Sequence, residues 1–138
     1  MRILVFPLAV AAVALGSCAA TPAETARAAD RRAAQQAALD KELAGLTPGK
    51  TQSCMPGYQS RSASLKAYGP KLVYSVSPTL KYVNDTGGGC ENVASGDILV
   101  TKSPTGELCS GDIGRTVQPG SSIPSGSCAL GNFTVYRK

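Results

Sequence analysis

Leu72-Val73-Tyr74-Ser75-Val76-Ser77-Pro78-Thr79-Leu80-Lys81-Tyr82-Val83 reads as two strands about a turn. β-branched and aromatic residues dominate both halves, and Ser77-Pro78 interrupts them where a chain reversal is cheapest. The same signal recurs downstream. Asp97-Ile98-Leu99-Val100-Thr101 precedes a turn at Ser103-Pro104-Thr105-Gly106, and Glu107-Leu108-Cys109 follows. Ile113 to Val117 and Asn132-Phe133-Thr134-Val135-Tyr136 complete the series. Between them lie Asn84-Asp85-Thr86-Gly87-Gly88-Gly89 and Gln118-Pro119-Gly120-Ser121-Ser122, clusters that favour turns. Residues 49–138 are therefore expected to form a mainly β domain, a small antiparallel meander or barrel.

Four cysteines punctuate this domain: Cys54, Cys90, Cys109 and Cys128, at spacings of 36, 19 and 19. No close cysteine pair of the kind that nucleates a zinc site occurs, and the chain has no histidine. Two structural disulfides are the expectation, with an all-thiolate zinc site as the alternative. Four cysteines allow three connectivities. The expected pairing joins Cys54 to Cys128 at the ends and Cys90 to Cys109 in the middle. Such staples matter in a chain with no Trp and only two Phe, one of them Phe6 near the N-terminus. A domain of about ninety residues has little apolar surplus.

Upstream, Arg2 and the thirteen-residue apolar run Ile3 to Leu15 have the form of an export signal. The run is too short to cross a bilayer core of roughly 30 Å as a helix. Its end, Leu15-Gly16-Ser17-Cys18, resembles the bacterial lipobox, which implies residues 1–17 as a lipoprotein signal peptide and Cys18 as the lipidated N-terminus. Lipidation of Cys18 would leave an even number of cysteines. Ordinary cleavage after Ala20 and an uncleaved anchor are the competing readings. Ala rather than Asp at position 19 favours the outer membrane by the enteric sorting rule.

Residues 18–48 then read as the lipidated cysteine and a helical spacer. Thr21-Pro22-Ala23-Glu24 fits a capping box with proline at the first helical position. From there to Ala44 the chain is rich in helix formers. Only Leu39, Leu43 and Leu46 form an apolar stripe, so the leucine end is expected to dock while the arginine-bearing half is solvated. A coiled coil would need large residues over several heptads. Thr47-Pro48-Gly49 is expected to stop the helix.

The net charge is +5, and from Lys50 onward there are nine basic and five acidic residues. The basic residues stand singly, apart from Arg137-Lys138, with no patch of the kind nucleic-acid binding requires. Gly49-Lys50-Thr51 lacks the earlier glycine of a phosphate loop, position 44 being Ala. Asp85-Thr86-Gly87 has the letters of an aspartic-protease triplet, but one short chain cannot supply two lobes. The tetrapeptide Ser-Gly-Asp-Ile occurs at 95–98 and again at 110–113, fifteen residues later. Its two aspartates could pair for acid–base work or hold a cation; as structure, the repeat marks two equivalent turns into strands. Without histidine, no Ser-His or Cys-His nucleophile exists within the chain.

The series Cys54, Cys90, Leu108-Cys109-Ser110-Gly111-Asp112 and Cys128-Ala129-Leu130-Gly131-Asn132-Phe133 resembles a group of small exported proteobacterial proteins that carry a domain of unknown function. The likeness covers roughly residues 49–138. It implies an envelope location and four structural cysteines, and transfers no catalytic residue. The function expected is a non-enzymatic envelope lipoprotein with no cofactor, no metal and no nucleic-acid partner. It would be held to the membrane through Cys18, facing the periplasm, and would present its β domain to a protein or envelope partner. A periplasmic inhibitor of a lytic enzyme, like the small β-barrel lysozyme inhibitors, is the alternative. An aspartate-dependent hydrolase is the remote one.

Overall fold

The computed structural model describes residues 21–138, so the expected export signal over residues 1–17, the expected lipidation site Cys18 and the alternative cleavage expected after Ala20 lie outside the described residues. A long helix α1 (Pro22–Glu42) leads into β1 (Thr47–Gln52), β2 (Cys54–Met55), a short helix α2 (Gly57–Ser62) and β3 (Ser64–Tyr68). Then follow β4 (Lys71–Ser77), β5 (Leu80–Asp85), a 3-10 turn at Glu91–Ser95, β6 (Ile98–Thr101) and β7 (Leu108–Cys109). The chain closes with β8 (Ile113–Val117), β9 (Pro124–Ala129) and β10 (Phe133–Arg137). It is a mainly β, antiparallel protein stapled by two disulfides, as expected from the strand signals. Five strands form one sheet in the order β1-β10-β5-β4-β3; β6-β8-β9 form a second, and β2-β7 a short pair.

The five-stranded sheet is covered on both faces, and alternation along its strands explains how. Leu72 and Tyr74 of β4 point to one side with Tyr82, Phe133 and Val135, where Met55 and Leu130 complete the main core. The Tyr74 and Phe133 rings meet there at 5.9 Å between centroids, tilted by 56°. Val73 and Val83 point to the other side, beneath Leu39 of α1. The leucine end of the helix thus docks as expected, and it forms a layer of the fold.

Helix α1 starts as its sequence dictates. Thr21 Oγ1 accepts from the Glu24 amide at 3.3 Å, and Glu24 Oε2 accepts from the Thr21 amide at 2.8 Å, a reciprocal capping box. The stop differs from expectation. The helix ends at Glu42, and Gly45, at φ +76°, provides the left-handed turn. Thr47-Pro48-Gly49 instead opens β1 at the edge of the sheet, where a proline costs no ladder bond.

The disulfide pairing also corrects the expectation. Cys54 bonds to Cys109 and Cys90 to Cys128, closing intervals of 55 and 38 residues. The reason is strand register: Cys54 lies directly opposite Cys109 in the β2–β7 pair. Cys128 sits on the buried side of β9 and meets Cys90, which leads into the 3-10 turn beside that strand.

Candidate functional site

Every aspartate singled out by the sequence is engaged in local structure. Asp112 Oδ2 accepts from the Cys109 amide at 2.8 Å, closing the turn between β7 and β8. Asp97 accepts from the Ser125 hydroxyl, and Ser125 in turn contacts the buried Thr116 hydroxyl at 2.9 Å. Asp85 takes the Lys71 ammonium at 2.5 Å and the Gly87 amide at 3.1 Å. The Lys71 bond, then the Gly87 amide, hold its carboxyl below the usual range. Among the described residues no hydrogen bond joins Asp97 to Asp112. The repeat does behave as a repeated strand start: Gly96 and Gly111 are both left-handed, at φ +99° and +92°, immediately before the aspartate that leads into β6 or β8.

Gly49, Lys50 and Thr51 lie within β1, paired with β10, and form no phosphate-binding loop. Among the described residues the convergent group of potential metal ligands is Cys54, Glu107 and Cys109, and its two sulfurs are bonded to each other.

The segments 108–112 and 128–133 pack against each other. The Gly111 amide donates to the Leu130 carbonyl and the Leu130 amide to the Asp112 carbonyl, both at 2.8 Å. Each segment also holds one end of a different disulfide. Their residues build the joint between the strand layers.

Two of the surface clefts border β6. Its inward residues Leu99 and Thr101, with Leu65, Tyr74 and Leu108, line a cleft of about 260 Å³ with Arg61 at its wall. Tyr74 is buried, and among the described residues its hydroxyl has no hydrogen-bond partner. Burial holds its ionisation well above the usual phenol range.

The outward side of the same strand is more unusual. Ile98, Val100 and Ile113 are 53%, 49% and 51% exposed, although all three sit in regular strands of a paired sheet. Apolar residues at alternate strand positions ordinarily mark a covered face. Arg115 stands opposite Val100 in the register, and Lys102 follows the end of β6. Val100, Lys102, Ile113 and Arg115 surround a shallow depression of about 310 Å³. Sequence reading missed this face because its cations lie thirteen positions apart and a strand signal does not say which face is covered. The alternation of Ile98, Val100 and Lys102 was the available signal.

A separate polar cluster fastens α1. Glu42 accepts from Lys81 Nζ, from the Tyr68 hydroxyl at 2.8 Å and from Lys66 Nζ at 3.2 Å. Lys81 also donates to the Glu42 carbonyl at 2.7 Å. Chiefly through Lys81, the Glu42 carboxyl is held down at about 2, while burial and then Glu42 push the Tyr68 phenol up to about 12. This cluster ties helix to sheet.

Compared with known proteins, the chain matches no family model, no curated protein and no solved structure.

Proposed function

We propose that this chain is a non-enzymatic module of a bacterial cell envelope. It is anchored in the outer membrane through lipidated Cys18, faces the periplasm, and presents its β domain as a binding surface. The observation that carries this reading is the exposed face of Ile98, Val100 and Ile113 beside Arg115, on a domain stapled by two disulfides. Disulfides persist in oxidising compartments. An apolar strip edged with charge is the usual form of an interaction site. A second reading, inhibition of a lytic enzyme, draws on the same face, since Arg115 and Lys102 would complement the paired carboxylates of a glycosidase cleft. Lysozyme activity unchanged at stoichiometric excess removes it.

Intact mass of the protein from its native envelope, with and without reduction and alkylation, tests the main reading. The expected mass begins at Cys18, carries acyl chains, and gains four alkyl groups only after reduction. An unlipidated mass with freely alkylated cysteines overturns both anchor and compartment. A hydrolytic activity that is lost in Asp97→Asn or Asp112→Asn without unfolding overturns the non-enzymatic assignment.

A further inference from the structure

We infer that the outward face of the β6–β8 pair docks an acidic, aliphatic segment of a partner protein. This rests on the binding-module reading and specifies the partner's chemistry. The outward positions of the pair are Ile98, Val100, Ile113, Arg115 and Val117, with Lys102 next after β6. Four are β-branched and apolar, two are cationic, and none is acidic.

Three physical features choose among occupants. The first concerns a second copy of this chain. A symmetric face-to-face dimer sets each patch against itself. The cations of both copies would then be gathered into one interface, with no carboxylate among these six residues to neutralise them, and like charges repel across an interface.

The second concerns a lipid surface. Peripheral insertion buries an apolar face roughly 5–10 Å into the headgroup boundary, usually through Trp, Phe or Leu. The Ile and Val side chains here are branched at Cβ and held on paired strands. Nothing on this face is long and apolar enough for that depth.

The third favours a protein segment. β-branched side chains have few rotamers, so little conformational freedom is lost when they are covered. Arg115 and Lys102 occupy diagonal positions across the ladder, since Lys102 follows the residue opposite Gly114. Diagonal neighbours lie about 7–8 Å apart. Two carboxylates at alternate positions of an extended strand, about 7 Å apart, match that spacing. Between them, aliphatic side chains of the partner would cover Val100 and Ile113.

The test places a photo-crosslinking phenylalanine analogue at position 100 or 113 of the full-length protein in its native cells. Position 33, exposed on α1, serves as control. Adducts are mapped to the residue by mass spectrometry. Expected is an adduct from 100 and 113, absent from 33, on a protein segment with at least two carboxylates near the bonded aliphatic residue. The double variant Lys102→Glu/Arg115→Glu should lower its yield by about tenfold or more, with the protein's thermal unfolding unchanged. Adducts formed only with lipid, only with a second copy, with neutral or basic segments, or no more than at position 33 would each overturn the inference. So would a yield indifferent to the charge reversal. Because lipidation and disulfides are read separately by intact mass, a negative crosslinking result leaves the envelope assignment standing.

Discussion

Asn84 clasps Gly131 at two points. Its Nδ2 donates to the Gly131 carbonyl at 2.6 Å and its Oδ1 accepts from the Gly131 amide at 3.0 Å. The side chain thereby pairs with backbone as a neighbouring strand would, and Asn84 is wholly buried while doing so. It satisfies the turn between β9 and β10 immediately before Phe133 enters the core. Gly131 is required on its own account, because a Cβ there would lie 2.2 Å from the Asp85 carbonyl oxygen.

Replacing Asn84 by Ala leaves both groups of the half-buried Gly131 without their partner, and replacing Gly131 by Ala forces two backbone segments apart. Each change should destabilise by about 2–4 kcal/mol, within the range for buried unsatisfied groups and core overpacking. Urea denaturation of both variants measures this. A loss below about 0.5 kcal/mol, the scale of an ordinary surface change, would mean that the clasp contributes nothing.

Glu42 should make stability depend on acid. Its folded carboxyl titrates at about 2, below the ordinary 4.5, chiefly because Lys81 binds the charged form. A depressed carboxylate contributes stability that is fully present above its unfolded value and lost as pH falls through its folded value. The window is therefore from about 4.5 down to about 2. Denaturation of wild type and Glu42→Gln at pH 6 and pH 3 isolates this contribution. The gap between them should be about 1.5–3 kcal/mol at pH 6, the range for hydrogen bonds to a charged group, and smaller at pH 3. An equal gap at both values would show that Lys81 and Tyr68 do not hold the carboxylate.

Much of the β architecture was legible in the strands with strong side-chain preference: β4, β5, β6, β8 and β10 all fall where Val, Ile, Tyr and Thr cluster. Those that escaped reading have weak local signals. β9 is Pro-Ser-Gly-Ser-Cys-Ala, and only its pairing with β8 and the Cys128 bond make it a strand. β1 reads Thr-Pro-Gly-Lys-Thr-Gln, a turn composition drawn into the sheet edge by β10. In β3, Ser64 to Tyr68 alternates correctly, but Lys66 and Ala67 lower its β preference. The disulfide pairing depends on register between distant strands, which composition does not encode. The exposed β6–β8 face was hidden for a related reason: alternation shows that a strand has two faces, and only the assembled fold shows which is covered.

The disulfide pairing has a direct chemical check. Tryptic cleavage isolates each cysteine in its own peptide, namely 51–61, 82–102, 103–115 and 116–137. Without reduction, 51–61 should travel linked to 103–115, and 82–102 to 116–137. A link between 51–61 and 116–137 would mean that β2 does not pair with β7. Opening Cys90–Cys128 by double alanine substitution removes closure of a 38-residue interval and should cost about 4 kcal/mol by the chain-entropy relation.

Leu39 decides whether α1 belongs to the fold. It is buried against Val73 and Val83, with Leu43, Tyr68 and Tyr136 packed around it. The remainder of the helix adds mostly alanine and charge, so this one side chain carries much of the apolar attachment. Leu39→Ala should cost about 2–4 kcal/mol, as truncation of a buried leucine does. It should also uncover Val73 and Val83. Limited trypsin digestion separates docking from mere tethering, because Arg27, Arg31 and Arg32 lie on α1 before Leu39. Loosening α1 should speed cleavage at those arginines in Leu39→Ala while the stapled strands stay resistant. If cleavage there and stability both matched wild type, α1 would be a tether beside the domain. Loss at every site together would instead make α1 indispensable to the sheet, because Val73 and Val83 would then need the helix above them as well as Tyr68 and Tyr136 beside them.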